Sequence, residues 1–149
     1  MVKFILLFNR QCKIRLQKWY DEYSSKEKKN VIKDLTSTIL KRTHMMSNIM
    51  EWKDLQIVYR RYASLIIVFA TSREENELLT LEIIHRYVEI LDSYFGSVCE
   101  LDIIFNFHKA HFLLDEFMIA GEMIDTEKHS IVKYVKCADD YQKEELTTR

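Results

Sequence analysis

The spacing of the apolar residues changes near residue 75, and this change limits the folds open to the chain. Before it, apolar residues form short runs rich in β-branched and aromatic side chains, which is typical of strands. After it, they recur at the i, i+3, i+4 spacing of helices. A run of strands followed by a run of helices predicts an α+β fold with a mostly antiparallel sheet.

One predicted helix interrupts the run of strands. It begins at the capping box Ser24–Glu27, and Gly96 and Gly121 mark the ends of two later helices. The length of 149 residues fits a single domain over residues 1–141, with residues 142–149 as a flexible tail. The predicted strands lie near residues 2–8, 13–20, 49–52, 55–59 and 64–70, and the predicted helices near residues 25–41, 76–95, 100–107, 107–120 and 126–141.

Glycine and proline are scarce, since the chain has two glycines and no proline. The phosphate-binding motifs G-x-x-x-x-G-K and G-x-G-x-x-G need closely spaced glycines, and so does the nucleophile elbow G-x-S-x-G. All three motifs are therefore absent, and no cofactor is predicted. A net charge of −1 provides no bulk attraction to nucleic acid or to an anionic membrane, and no nucleic-acid partner is predicted.

The cysteines and the apolar runs bear on location. Three scattered cysteines without a C-x-x-C pair suit a reducing compartment. The N-terminal apolar run is too short for a signal peptide. The longest uncharged stretch, residues 62–72, is too short for a bilayer span, which takes about 20 residues. We therefore expect a cytoplasmic protein whose membrane contact is indirect.

One cluster has the residue types of a metal or catalytic site. His108, His111 and Asp115 would share one helix face at spacings of three and four. The H-E-x-x-H order is missing and no fourth ligand is evident, so surface or half-buried histidines are the favoured interpretation. His85, near the polar edge of its helix, is interpreted as structural. We predict no enzyme activity and no metal site; a metal-dependent enzyme is the alternative.

The second predicted helix is apolar on most of its sides. Leu81 and Ile84 lie on one stripe, and Ile83 and Tyr87 lie on a second stripe beside it. A helix this broadly apolar is covered on most sides in a folded protein. The surplus of apolar surface over residues 76–107 predicts a permanent protein partner.

Four strings, in order along the chain, resemble the sigma (small) chain of heterotetrameric clathrin adaptor complexes: Arg15–Tyr20, Val58–Leu65, Asn76–Glu82 and Tyr94–Phe107. The resemblance runs from about residue 1 to about residue 125 without an obvious gap, and it is loose beyond. It implies a longin-like fold, a five-stranded antiparallel sheet flanked by helices. No reaction is catalysed by this family.

Within the family, the chain is most similar to the type 1 adaptor of the trans-Golgi network and endosomes, at Leu16–Tyr20, Glu51–Trp52 and Gly96–Ser97. The resemblance implies a complex with gamma-type and beta-type large subunits and a mu-type medium subunit. It also implies binding of cargo tails with [DE]-x-x-x-L-[LI] dileucine signals, at the cytoplasmic face of trans-Golgi network and endosomal membranes and clathrin-coated vesicles.

The resemblance assigns roles to individual residues. Arg15 corresponds to the basic residue that faces the acidic part of the signal, and Ser97 corresponds to the rim of the site. The walls of two leucine pockets correspond to Ala63, Leu65, Val88, Val98 and Ile103.

The chain departs from the family pattern in two places. Cys12 occupies a hairpin turn where the family commonly has glycine, so we expect strain there, away from the site. Ile66–Val68 replaces a more aromatic stretch, which is expected to reshape the pocket floor. Two further alternatives are another longin-type trafficking module, usually followed by a coiled coil, and the sigma chain of the plasma-membrane endocytic adaptor.

Overall fold

The fold is seen in a computed structural model that describes residues 1–119, 122–123, 136–137 and 139. The strands are β1 (Val2–Asn9), β2 (Ile14–Trp19), β3 (Ile49–Trp52), β4 (Leu55–Tyr62), β5 (Leu65–Ser72), β6 (Met118–Ile119) and β7 (Glu122–Met123). The helices are α1 (Ser25–Lys41), α2 (Glu77–Phe95), α3 (Glu100–Phe105) and α4 (Phe107–Phe117).

The first five strands form one antiparallel sheet in the order β2-β1-β5-β4-β3. β1 and β5 lie in the middle, and their side chains are buried on both faces. This explains why both strands read as continuous apolar runs, whereas the edge strands β2 and β3 carry polar residues. The predicted α+β fold with a five-stranded antiparallel sheet is confirmed.

Each face of the sheet has its own apolar core. Since side chains alternate along a strand, Phe4 and Leu6 of β1 point to one face, and Ile5 and Leu7 point to the other. Helix α1 covers the first face, which we call the α1 face, with Leu35 at its centre. Helices α2, α3 and α4 cover the second face, which we call the α2–α4 face.

The helix ends follow the local signals in the sequence. At the start of α1 the Ser24 hydroxyl accepts a hydrogen bond from the Glu27 backbone at 3.1 Å. The Glu27 carboxylate in turn accepts from the Ser24 backbone at 3.1 Å, which completes the predicted capping box. Helix α2 ends at Gly96, which has a left-handed φ of 68°, a conformation that costs glycine little.

The predicted end of α4 is wrong. The helix ends at Phe117 instead of near residue 120, because the chain becomes extended at Met118 and forms the short β6–β7 ladder. The sequence pattern gave no sign of these two strands, which are two residues each. The helix predicted for residues 126–141 lies almost wholly outside the described residues, although residues 136, 137 and 139 are helical. The predicted tail, residues 142–149, lies outside them as well.

Candidate functional site

A β-bulge in β2 turns Arg15 toward α3. Leu7 pairs with Leu16 and Phe8 pairs with Ile14, so that Arg15 is an extra residue in the ladder. In keeping with this, Ile14 packs against the α1 core while Leu16, two residues on, lies in the α2–α4 core. Without the bulge, these two side chains would share a face. The bulge therefore gives Arg15 its direction.

The Arg15 side chain ends on Glu100, the first residue of α3. Its Nε donates to Glu100 Oε1 at 2.8 Å, and both side chains are partly exposed, at 24% and 21%. Asn9 Nδ2 donates to the same oxygen at 2.8 Å, and the Ser64 hydroxyl approaches Oε2 at 3.5 Å. Hydrogen bonds from Arg15 and then Asn9 lower the pKa of Glu100 below its usual value, so the carboxylate is ionised at neutral pH.

The β1–β2 turn is joined to this network through Asn9, which is only 4% exposed. Asn9 Oδ1 accepts from the backbone N–H groups of Gln11 and Lys13 at 2.9 and 3.0 Å, which holds the turn. Cys12 has a left-handed φ of 63°, a conformation that favours glycine. The expected strain lies at this residue, but the turn is not separate from the site, because Asn9 contacts Glu100.

Asp92, in the last turn of α2, joins the end of β4 to the loop that follows α2. Its carboxylate accepts from the Tyr62 hydroxyl at 2.8 and 2.9 Å and from the Val98 backbone at 2.9 Å. The hydrogen bond to Asp92 raises the pKa of Tyr62. Asp92 thus fixes the loop after α2 against the β4–β5 hairpin, where Ala63 and Ser64 form the turn.

Four of the predicted wall residues lie together in the α2–α4 core, and all four are buried: Leu65, Val88, Val98 and Ile103 at 2%, 3%, 5% and 0% exposure. Apart from Arg15, two predicted site residues remain, Ala63 and Ser97. Both are exposed, and their φ angles, 52° and 69°, are left-handed. Four of the five predicted wall residues thus belong to one apolar core, whereas the fifth, Ala63, lies with Ser97 at exposed turn or loop positions.

The outer surface of the α2–α4 layer is apolar. On α3, Leu101 is 59% exposed and Phe105 is 78% exposed. The same layer exposes other large apolar side chains at the start of α2 and along α3 and α4: Leu78, Leu79, Ile104, Phe107 and Phe112. Leu101, Ile104 and Phe105 lie three and four residues apart on α3 and so share one side of it. Contiguous apolar exposure is unusual for a protein that acts as a monomer.

The histidine cluster of α4 does not have the geometry of a metal site. Asp115 forms an ion pair with Lys18 at 2.9 Å, and the His111 ring packs on Phe107 with centroids 4.5 Å apart. Burial lowers the pKa of His111, which favours its neutral form. No group of three His, Cys, Asp or Glu side chains within the described residues is arranged to hold an ion.

His85 has partners for both ring nitrogens. Arg60 Nη1 lies 2.8 Å from its Nδ1, and Glu89 Oε1 lies 2.7 Å from its Nε2. Because arginine only donates, Nδ1 accepts and Nε2 donates in this arrangement. This is the satisfied structural histidine that the sequence favoured.

Sequence reasoning missed the polar residues that hold the site together: Asn9, Ser64, Asp92 and Glu100. Local signals were available for two of them, Asn9 and Asp92. An asparagine that opens a turn without glycine often bonds the following backbone. An aspartate four residues before a helix-ending glycine is well placed to accept from the loop that follows.

No helix among the described residues is long and apolar enough to cross a membrane. The family model of the clathrin adaptor complex small chain matches residues 1–142. The chain belongs to this family. The family predicted from the four sequence strings is therefore confirmed.

Relatives cover nearly the whole chain. The AP-1 complex subunit sigma-1A of Homo sapiens is 54% identical over 149 residues, which is 100% of this chain and 94% of the relative. The AP-1 complex subunit sigma-3 of Mus musculus is 56% identical over 142 residues, or 95% and 92% of the two chains. The AP-1 complex subunit sigma-2 of Arabidopsis thaliana is 51% identical over 139 residues, or 93% and 86%.

A chain of a homology model of the full-length AP-3 complex, in a stretched open conformation, is similar in structure with a TM-score of 0.74. The sequence identity is 28%, and the likeness covers 99% of both chains. The relatives and this structure carry the names of adaptor complexes and their subunits, and none of these names is that of an enzyme.

Proposed function

We propose that this chain is the sigma subunit of an AP-1-type adaptor complex and that it contributes a binding site for acidic dileucine signals of cargo. The observation that carries the first part is the identity of 54% to an AP-1 sigma chain along the entire sequence. The AP-1 names of the relatives favour this assignment over the plasma-membrane adaptor and over other longin-type modules.

The exposed apolar surface of the α2–α4 layer supports a permanent partner. Phe105 at 78% exposure and Leu101 at 59% exposure stand on α3, next to the Arg15–Glu100 pair. Burying such side chains gains about 25 cal/mol per Å² of apolar surface, so a partner that covers them is strongly favoured. The occupant in this proposal is the gamma-type large subunit, with beta-type and mu-type chains completing the heterotetramer.

The contacts around Arg15 support the signal site. Arg15 presents a partly exposed guanidinium beside the exposed turns that carry Ala63 and Ser97. Behind these turns lies the apolar group of Leu65, Val88, Val98 and Ile103. A leucine side chain needs space where Val88 and Val98 now pack at 3% and 5% exposure, so binding requires an outward shift of the loop after α2.

The magnitudes predict weak binding to a single signal. Two buried leucines gain about 1.5–3 kcal/mol each, and an exposed ion pair adds about 1 kcal/mol or less. Association costs at least about 4 kcal/mol in lost freedom. Sorting therefore depends on several signals engaged together on one membrane. In this proposal the chain works peripherally, at trans-Golgi network and endosomal membranes and clathrin-coated vesicles, and reaches them through its complex.

The test is a peptide titration on this chain co-expressed with the trunk of a gamma-type large subunit. We expect weak but saturable binding of an acidic dileucine peptide by fluorescence anisotropy, and loss of that binding in Val88→Asp. The matched peptide with both leucines changed to serine should not bind. Because Val88 is buried, Arg15→Gln is the second variant, since its side chain is 24% exposed and its replacement leaves the core unchanged.

The outcomes separate the two parts of the proposal. A stable heterodimer whose peptide binding is equal in wild type, Val88→Asp and Arg15→Gln would contradict the assigned site. A stable heterodimer without any peptide binding would leave the chain as a scaffold subunit only. Failure to form a heterodimer at all would contradict the adaptor assignment and favour another longin-type module.

A further inference from the structure

We infer that Glu100 sets how strongly the proposed signal site prefers an acidic residue, by orienting Arg15 through its Nε while opposing part of its charge. The inference rests on the proposed function of the site. Its basis is the ion pair between Arg15 and Glu100, which uses one of the three guanidinium nitrogen atoms, Nε. The Glu100 carboxylate is itself contacted by Asn9 at the end of β1 and by Ser64 in the β4–β5 turn.

The geometry of the pair leaves most of the guanidinium free. Glu100 Oε1 lies 2.8 Å from Arg15 Nε, and the two Nη groups have no hydrogen-bond partner among the described residues. An arginine fork binds a carboxylate through two parallel N–H groups. The Nη pair is therefore available to a second carboxylate, with Glu100 behind it on the protein side.

Glu100 is itself held in place. Asn9, a buried residue, donates to the oxygen that also accepts from Arg15, and Ser64 approaches the other oxygen. On the arginine side, the bulge in β2 fixes the direction of the stem. An arginine positioned in advance loses less conformational freedom when it binds. This is the contribution of Glu100 that favours binding.

The charge of Glu100 acts in the opposite direction. The hydrogen bonds from Arg15 and Asn9 keep its pKa low, so its carboxylate stays ionised when a signal arrives. A second carboxylate on the same guanidinium comes within the range where two like charges repel. The incoming acid thus meets an arginine that is already partly neutralised, and its contribution to affinity is limited.

Glu100→Gln separates orientation from charge. The glutamine oxygen can accept from both Arg15 and Asn9, and its amide nitrogen can donate to the Ser64 hydroxyl, which accepts as well as donates. The hydrogen-bonded arrangement is kept while the negative charge is removed. Glu100→Asp keeps the charge, and Glu82→Gln removes a carboxylate from another ion pair, with Arg86 at 3.3 Å, as the control for net charge.

The experiment compares two peptides on the large-subunit heterodimer, one with glutamate at the acidic position of the dileucine signal and one with glutamine there. We expect Glu100→Gln to tighten binding of the glutamate peptide by roughly threefold to tenfold, as for removal of a partly screened like charge. Binding of the glutamine peptide should change by less than twofold. Glu82→Gln and Glu100→Asp should tighten neither peptide.

Several results would overturn the inference. Equal weakening of both peptides by Glu100→Gln would make Glu100 a structural residue only. Equal tightening of the glutamate peptide by Glu82→Gln would assign the effect to net charge. A wild-type heterodimer that binds neither peptide would overturn the signal site and this inference together, whereas normal wild-type binding without a change in Glu100→Gln would overturn this inference alone.

Discussion

The two faces of the sheet each cover a buried apolar core but differ on their outer surfaces. Helix α1 buries Leu35 and Ile39 completely and presents lysines and other polar residues to solvent. Helices α3 and α4 also bury apolar residues, but their outer side shows Phe105 at 78% exposure and Phe107 at 44% exposure. Among the described residues, helix α1 presents mainly polar side chains to solvent, whereas the α2–α4 layer has an exposed apolar surface that these residues do not cover.

The polar network of the candidate site lies on the incomplete side. Arg15 and Glu100 meet at the start of α3, and Asp92 joins the loop after α2 to the β4–β5 hairpin. One sheet therefore carries two different surfaces. Its α1 face supports the fold, and its α2–α4 face carries the exposed apolar side chains and the Arg15–Glu100 pair, where we propose the partner surface and the signal site.

The largest expected effect is on the α1 face. Leu35→Ala empties a fully buried position and should lower the free energy of unfolding by about 2–5 kcal/mol. Urea unfolding followed by tryptophan fluorescence measures it, because Trp19 and Trp52 both pack against this core. A loss below about 0.5 kcal/mol, in the range of surface substitutions, would show that the α1 core does not stabilise the fold in the way described.

The exposed apolar surface of the α2–α4 layer, which we call the partner surface, should affect assembly and not stability. Phe105→Asp changes a side chain that is 78% exposed, so the stability of the chain should barely change. Affinity for the large subunit should fall by about 2–4 kcal/mol, as expected for an aromatic anchor of an interface. Pull-down and size-exclusion chromatography of the co-expressed pair measure this.

Met45→Asp is the matched control for that loss. Met45 is 95% exposed, but it lies in the loop between α1 and β3 and not on the α2–α4 layer. It should leave the heterodimer intact. If Met45→Asp and Phe105→Asp weaken assembly alike, the partner surface is not confined to the α2–α4 layer and the comparison of the two faces fails.

A smaller effect is expected at Asp92, which holds the loop after α2. Asp92→Asn removes the charge that accepts from Tyr62 and from the Val98 backbone, and hydrogen bonds to a charged group are worth about 1.5–3 kcal/mol. We expect faster amide exchange at Val98 and weaker dileucine-peptide binding, with the heterodimer retained. Unchanged exchange at Val98 would show that Asp92 does not hold this loop.

The parts of the fold that the sequence predicted well depend on local signals. The start of α1 follows from Ser24 and Glu27, three residues apart, and the end of α2 follows from Gly96. The buried strands follow from apolar runs that are continuous along β1 and β5. The end of α4 was missed because Met118 and Ile119 are apolar and continue the helical pattern, while pairing with β7 decides their conformation.

The site depends on contacts between residues far apart in the sequence. Glu100 is 85 residues from Arg15 and 91 from Asn9, and no local pattern joins such positions. The bulge at Arg15 is equally invisible, because β2 has the composition of an ordinary edge strand. The resemblance pointed to Arg15 and to five apolar residues, and the structure added the polar residues that bond to Arg15 and to the loop after α2.

The smallest expected effect compares two tyrosines on the α2–α4 face. The Tyr20 hydroxyl is buried without a hydrogen-bond partner in the described part of the chain, whereas the Tyr62 hydroxyl donates to Asp92. Tyr20→Phe should therefore leave the free energy of unfolding at pH 8 unchanged or raise it by less than about 1 kcal/mol. Tyr62→Phe should lower it by about 1–3 kcal/mol, since a charged acceptor then loses its donor.

Raising the pH sharpens the same comparison. Burial, with a smaller contribution from Asp115, raises the pKa of Tyr20 from 10.0 to about 12. Below pH 10 both the folded and the unfolded chain keep this proton, whereas between pH 10 and pH 12 only the folded chain does. Ionisation then favours the unfolded chain, and this contribution to stability declines as the pH rises. Urea unfolding between pH 8 and pH 11 should show a shallower decline in Tyr20→Phe than in wild type. Parallel declines would mean that the Tyr20 hydroxyl is hydrated, and that the α2–α4 core is open to water at this point.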